Sequence, residues 1–358
     1  MSLPEKMKAV VTYTASDIRY EDYPVPQAGL GELVLKVKGT GICAGDIKCT
    51  HGGIRFWGTS PETAYVEGPC IQGHEFCGTV EEIGEGVTGY EKGDLVVAEQ
   101  ILPCGECEFC RTGQYWMCTR SAVFGFKQYA NGGFAEYVKV PKGCKAHKLP
   151  KSFTVEQAAL VEPIACGMHA VEQAGIRHDD VVVIAGMGPI GLSMANVANL
   201  AMPKCVIAIE VRPERAAMAK EFGADVVLNP LECDVAEEVK KLTGGLGCTV
   251  YIEASGNPKS VAQGFECLAN HGRFVQMGVM SALVETDFNT IGDGKELTII
   301  GSHLSALVYP AVIRGIEKGL IRTDGLVTHT FPLSEFKKAY ETAEKDPAAL
   351  KVVLVPDA

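Results

Sequence analysis

Four cysteines, Cys104, Cys107, Cys110 and Cys118, stand at C-x2-C-x2-C-x7-C spacing in the polar stretch LPCGECEFCRTGQYWMC. Thiolates so spaced can close a tetrahedral shell around zinc and leave no open position, which makes such a site structural. Disulfides, a redox dithiol and an iron–sulfur cluster are the competing chemistries. A redox C-x-x-C normally comes singly and opens a helix beside a strand. Four cysteines also suit a cluster, but nothing else in the chain suggests electron transfer. A zinc ribbon for nucleic acid wants basic neighbours, whereas this loop carries Glu106 and Glu108 against Arg111. Structural zinc is the expected role.

A second set is dispersed. Cys43 lies in GICAGD, His74 and Glu75 in GHEFCG, and Glu162 in VEPIACGMHA. A mixed Cys, His and carboxylate set, completed by water, suits catalysis at zinc. Spacing alone does not gather these residues, and His74 by itself reads more often as a satisfied core histidine.

The stretch VVVIAGMGPIGL supplies a third chemistry. Gly186, Gly188 and Gly191 have G-x-G-x-x-G spacing, follow an apolar strand and open a helix at Pro189. Gly186 permits the tight turn, Gly188 lets a pyrophosphate approach the backbone, and Gly191 allows close packing of helix on strand. The phosphates would sit on free N–H groups at the helix start. CVIAIE then ends in Glu210, about 20 residues on, where an acid accepts from the ribose hydroxyls and repels a 2′-phosphate. That selects NAD, although Arg212 and Arg215 nearby weaken the choice. The expected cofactor-binding residues are Gly186, Gly188, Pro189, Ile190, Gly191, Glu210 and Arg215.

These sites need two kinds of support. The chain has 358 residues, too many for one ordinary core. Up to about residue 160, short β-rich runs such as ELVLKVKGTGIC, GTVEEIG, DLVVAEQ and FAEYVKV are broken by Gly and Pro. From about Asp180 to Ser302, strands alternate with helices, including one near Val235–Leu242, which predicts a parallel sheet covered on both faces. After Ser302 the pattern gives two more helices and a closing strand, KVVLVP, expected to return to the first domain. The expected division is residues 1–162 with 305–358, and 163–304.

Charge and composition remove other classes. A net charge of −11 argues against nucleic-acid or anionic-membrane partners. No apolar run approaches the roughly 20 residues of a membrane span, and MSLPEKMKAV lacks the apolar core of a signal peptide. A cytoplasmic protein with reduced thiols is expected. Cys49, Cys70, Cys77, Cys144, Cys166, Cys205, Cys233, Cys248 and Cys267 then read as small hydrophobes or inert thiols.

Together, GHEFCGTVEEIGEGVTGYEKGDLV, the four-cysteine loop, NGGFAEYVKVP and VVVIAGMGPIGL resemble the zinc-dependent medium-chain dehydrogenases over nearly the whole chain. VEP at 161–163 and Glu75 resemble the sorbitol, xylitol and threonine dehydrogenase branch. The resemblance implies an α/β protein with a GroES-like β-rich catalytic domain, completed by the C-terminal tail. It implies an inserted Rossmann doubly wound domain, a catalytic zinc in the cleft, and a homotetramer or dimer. Cys43 and His74 then become zinc ligands, Glu75 and Glu162 ligate directly or through water, and Asp46 orients His74. One departure stands out: the family carries Ser or Thr two residues after the first cysteine as proton relay, where this chain has Gly45. Lys48 and His51 are then candidates for an outer proton carrier.

The implied reaction is reversible oxidation of a secondary alcohol to a ketone, with two zinc ions per chain and NAD. A Lewis acid lowers the pKa of the reacting hydroxyl, and hydride passes to the nicotinamide. The expected substrate is a small polyol, a sugar alcohol giving a ketose, with Phe56 and Trp57 in GIRFWG either lining its pocket or packing locally. The alternatives are oxidation of an amino alcohol, as by threonine 3-dehydrogenase, a diol dehydrogenase, and a non-catalytic, crystallin-like nucleotide binder.

Overall fold

The structure, a computed structural model, describes residues 3–357. The chain forms two compact units: Met1–Glu162 with Tyr309–Glu317 and Thr323–Ala358, and Pro163–Val308 with Lys318–Arg322.

The second unit is built on a six-stranded sheet. Its strands lie in the order Val226–Leu228, Cys205–Ile209, Val181–Ala185, Cys248–Glu253, Leu268–Gln276, Thr298–Gly301. Numbered along the chain this is 3-2-1-4-5-6, with every neighbouring pair parallel, the strand order of a Rossmann dinucleotide-binding sheet. Val181–Ala185 is buried throughout, as a central parallel strand covered on both faces must be. The helices Pro189–Asn199, Pro213–Glu221 and Pro258–Cys267 all start on proline, whose missing N–H costs nothing in a first turn. Val235–Leu242 is a helix as read, capped by Asp234 on the Glu237 N–H. Tyr251, Phe265 and Phe274 form the aromatic centre of its core, with Phe274 stacked on Tyr251 at 5.6 Å.

The first unit is mainly antiparallel. Leu33–Gly41 pairs with Glu75–Ile83, with Tyr137–Val140 and with the C-terminal strand Lys351–Val355. The tail therefore completes a sheet that the N-terminal half begins. Val327–Pro332 extends it, parallel to Lys351–Val355. That strand is absent from the sequence reading, which has only helices between Ser302 and KVVLVP. VTHTFP is half-exposed along its length, so no buried apolar run announces it, and its partner is the last strand of the chain. FAEYVKV begins its strand only at Tyr137; before it, Phe134 O accepts from Val10 N at 2.8 Å and Ala135 bridges Ala9.

Candidate functional site

Strand register gathers the dispersed set. Gly41, at the end of its strand, lies opposite Glu75 on one side and Val353 on the other. The chain then enters the helix Ala44–Thr50 through Cys43, its N-cap. Cys43 Sγ accepts from Gly45 N at 3.4 Å, and Asp46 Oδ2 accepts from Cys43 N at 2.9 Å. This reciprocal cap fixes where the Cys43 sulfur points. Gly73, at φ +93°, makes the turn that delivers His74 and Glu75. The ligand atoms of Cys43, His74 and Glu75 lie within 4.8 Å of one another.

Glu162 is placed differently. It is buried in the first turn of Val161–Ala174 and falls outside that close group, although its charge acts on both His74 and Lys351. Asp46 is fully buried and faces the imidazole, with Oδ1 3.7 Å from His74 Nδ1. That exceeds a hydrogen bond, so Asp46 acts there as a charge as well as a helix cap. Burial disfavours an imidazolium at His74, but the charges of Asp46 and Cys43 outweigh it and lift its pKa well above 6.5. Burial likewise pushes the Asp46 carboxyl up.

The residues fit a metal. His74 Nδ1 and Asp46 Oδ1 are buried and make no hydrogen bond among the described residues, whereas buried polar atoms are ordinarily satisfied. A sulfur, an imidazole and a carboxylate converging in this way match the ligand preferences of zinc.

The sequence reading missed two residues here. Lys351 donates from Nζ to Glu75 Oε1 at 2.6 Å and to Ile42 O at 3.1 Å, and all but 4% of it is buried. Its only local signal is a charge opening the otherwise apolar strand KVVLV. Phe126 stands 5.9 Å from the His74 ring and 5.3 Å from Phe56. Phe56 thus belongs to an aromatic wall beside the ligands, while Trp57 turns to local packing and donates to Cys49 O at 2.7 Å. His51 is exposed and lies 2.9 Å from Glu344.

The four-cysteine stretch folds as a lobe with little core. Its sulfurs lie within 4.8 Å of one another, and Cys104 and Cys110 are 4.0 Å apart. Thiolates at about 2.3 Å from a tetrahedral zinc would be about 3.8 Å apart, so the set is close to coordinating geometry. The N–H groups of Cys104 and Cys107 already point at the sulfurs of Cys118 and Cys104, at 3.3 and 3.4 Å. The backbone N–H of Cys110 helps to hold the Cys107 thiol down at about 6, while burial pushes Cys110 up to about 12. Tyr115 anchors the lobe through a 2.6 Å bond to the buried Glu99. The nine scattered cysteines are all free thiols; burial raises Cys49, Cys70 and Cys77 to about 12, the behaviour of inert thiols.

In the second unit the glycine-rich turn joins Val181–Ala185 to Pro189–Asn199. Gly186 has φ +95°, and a Cβ there would lie 2.9 Å from Ser255 Cα. A Cβ on Gly191 would lie 1.8 Å from Gly186 O, whereas one on Gly188, the helix N-cap, would meet nothing within 4 Å among the described residues. Gly191 is thus needed for packing and Gly188 leaves the backbone open to a ligand. Pro189 and Ile190 form the half-buried first turn. Glu210 is buried and accepts from Met187 N at 2.8 Å, Val211 N at 2.8 Å and Arg212 N at 2.9 Å. It therefore ties the glycine turn to the end of the neighbouring strand. Arg215 is half-buried near Arg212 and Glu210. Glu253, which sequence reading did not single out, is fully buried at the point where strand order reverses, bonded to the N–H of Ser255 at 2.9 Å and of Gly256 at 3.1 Å. An acid closing an apolar strand, as in CTVYIE, is the signal it offers.

The comparisons with known proteins agree with this architecture. Residues 29–151 match the alcohol dehydrogenase GroES-like domain, and residues 189–318 match the zinc-binding dehydrogenase domain. An erythritol/L-threitol dehydrogenase of Mycolicibacterium smegmatis is 42% identical over 357 residues, 99% of each chain. An L-threonine 3-dehydrogenase of Pyrococcus abyssi is 37% identical, over 95% of this chain and 96% of that one. A zinc-binding dehydrogenase structure from Sinorhizobium meliloti, bound to NADP, superposes with a TM-score of 0.90 at 29% identity, covering 99% of this chain and 100% of that one. No helix among the described residues is long and apolar enough to cross a membrane. A GroES-like domain, a Rossmann domain and homology along the full length lead to one conclusion: this chain belongs to the zinc-dependent medium-chain dehydrogenases, oxidoreductases that act on the CH–OH group of small alcohols.

Proposed function

We propose that the protein oxidises a small polyol to the corresponding ketose with NAD, using one catalytic and one structural zinc per chain. The observation that carries this reading is the convergence of Cys43, His74 and Glu75 within 4.8 Å, with the buried His74 Nδ1 making no hydrogen bond among the described residues. Cys43 and His74 would hold the catalytic zinc, with Glu75 and Glu162 completing its surroundings directly or through water. Cys104, Cys107, Cys110 and Cys118 would hold the structural one. When bound, the metal supplies Lewis acidity to the reacting oxygen and the nicotinamide accepts hydride.

The chain's own residues do the rest. The cap at Cys43 aims its sulfur, Asp46 favours one orientation of the imidazole, and Phe126 with Phe56 keeps one side of the site dry. The turn at Gly186–Gly191 would cradle the pyrophosphate, with the carboxylate of Glu210 repelling a 2′-phosphate. The unit of Met1–Glu162 and the tail would carry the substrate chemistry and the other unit the cofactor. A homo-oligomer, dimer or tetramer, belongs to the same reading, supported by the open sheet edge Thr298–Gly301, where Ile299 is exposed.

The M. smegmatis relative acts, by its name, on erythritol and L-threitol, which supports a polyol with vicinal hydroxyls. A screen of the zinc-replete enzyme against C4–C6 polyols, threonine and primary alcohols, with NAD and with NADP, tests the reading. Polyols with NAD should give the highest kcat/KM. Threonine or ethanol used as efficiently as the best polyol would reject the substrate assignment. Equal efficiency with NADP would show that Arg212 or Arg215 overrides Glu210.

A further inference from the structure

Position 45 lies in the first turn of the helix that Cys43 caps, and it carries no side chain. Among the described residues, a Cβ built there would have two close neighbours, Cys43 Sγ at 3.7 Å and Phe56 Cζ at 3.8 Å. Both are ordinary contact distances, so the backbone does not require glycine for lack of room. Gly45 is also absent from the residues with positive φ, so conformation does not require it either. The glycine instead leaves room for at least a methyl-sized group. One wall is a sulfur in the group read as metal ligands. The other is the ring of Phe56, which continues through Phe126 to His74.

Gly45 is only half-buried, so this space is open to water that a substrate group can displace. We propose that the space receives the second oxygen of the substrate, the hydroxyl on the carbon next to the reacting one. Gly45 is then the position that makes this enzyme selective for vicinal diols and polyols. The inference rests on the polyol reading above and narrows it to substrates with adjacent hydroxyls. Two features favour an oxygen over a methyl group. Gly45 is half-buried, so the gap stays open to water. Lys48, three residues on and over the same helix face, is an exposed cation.

The test compares 2,3-butanediol with 2-butanol in the zinc-loaded enzyme and in Gly45→Ala and Gly45→Ser. Both variants place atoms in the gap. The ratio of kcat/KM for diol over mono-alcohol should fall about tenfold or more, since a site shaped for a hydroxyl discriminates strongly. The Kd of the diol for the NADH-bound enzyme, read by calorimetry without turnover, should rise in parallel while that of 2-butanol changes less than about threefold. A ratio that stays constant or rises would overturn the proposal. If neither variant folds, the unmodified enzyme still decides the matter with the diol's monomethyl ether. An ether bound and oxidised as well as the diol would overturn the proposal, and a tenfold or greater loss would support it. If the unmodified enzyme prefers 2-butanol from the outset, the polyol reading itself has failed, a result distinct from a constant ratio.

Discussion

Lys351 Nζ lies 2.6 Å from the Glu75 carboxylate, and the two residues are 276 positions apart in sequence. They sit on strands that flank Leu33–Gly41, and their side chains meet over Gly41. A Cβ at Gly41 would lie 2.0 Å from Glu75 Oε2 and 3.1 Å from Lys351 Cδ. Burial works against the ammonium, but the charges of Glu75 and Cys43 outweigh it and push Lys351 up.

This arrangement makes Lys351→Met costly. It strands the buried Glu75 charge, which is expected to remove about 3–5 kcal/mol. The denaturant midpoint of metal-depleted protein reads the loss without a contribution from metal binding. Glu75→Gln combined with Lys351→Met should recover much of it, and Gly41→Ala should destabilise by displacing the carboxylate. A loss below about 1 kcal/mol in Lys351→Met would show that the pair is not energetically coupled.

The glycine turn gives a paired prediction. Gly191→Ala drives a Cβ to 1.8 Å from Gly186 O and should destabilise the protein by overpacking, by about 1–3 kcal/mol or more. Gly188→Ala meets nothing within 4 Å among the described residues, so its thermal midpoint should stay close to that of the unmodified protein. Its Kd for NAD, by calorimetry, should rise at least about tenfold, because the methyl occupies the approach of the pyrophosphate. Unchanged NAD binding in Gly188→Ala would remove the phosphates from this turn.

Local and distant features differ in how well the sequence reveals them. The glycine turn and the four-cysteine lobe are legible because each closes within a few residues of chain. Strand, glycines, helix and acid follow in order, and four sulfurs on one loop can meet without help from elsewhere. Cys43, His74 and Glu75 needed the family resemblance, because only strand pairing brings them together. Gly41 and Phe126 were not legible, and Lys351 offered only a charge at the start of an apolar strand. Their roles exist only across the register of strands that are far apart in the chain. Val327–Pro332 escaped for a related reason: its pattern is half-exposed and its partner is the terminal strand.

Asp180 predicts a pH dependence. Burial pushes its carboxyl up, but the bonds from Thr249, Arg177 and Arg273 outweigh burial and hold it below 3.8. A carboxyl lowered on folding stabilises the protein above its unfolded pKa, and that stabilisation is lost as pH falls through the folded value. Asp180→Asn should therefore cost about 2 kcal/mol at pH 7, measured by denaturant unfolding. The difference from the unmodified protein should shrink steadily below about pH 4. A difference independent of pH would place the effect in packing and not in the carboxylate charge.

Metal analysis before and after mild chelation, with activity followed in the same samples, tests the central claim most directly. The lobe sulfurs form a closed four-thiolate set, whereas the Cys43, His74 and Glu75 set is mixed and must stay open to substrate. The expected result is two zinc ions per chain in fully active enzyme. Brief chelation should remove one of them in step with activity, and re-addition of zinc should restore it. His74→Ala should be isolated with one zinc, retained in the lobe, and without activity. Fully active enzyme with a single metal per chain, or full activity in His74→Ala, would contradict the account.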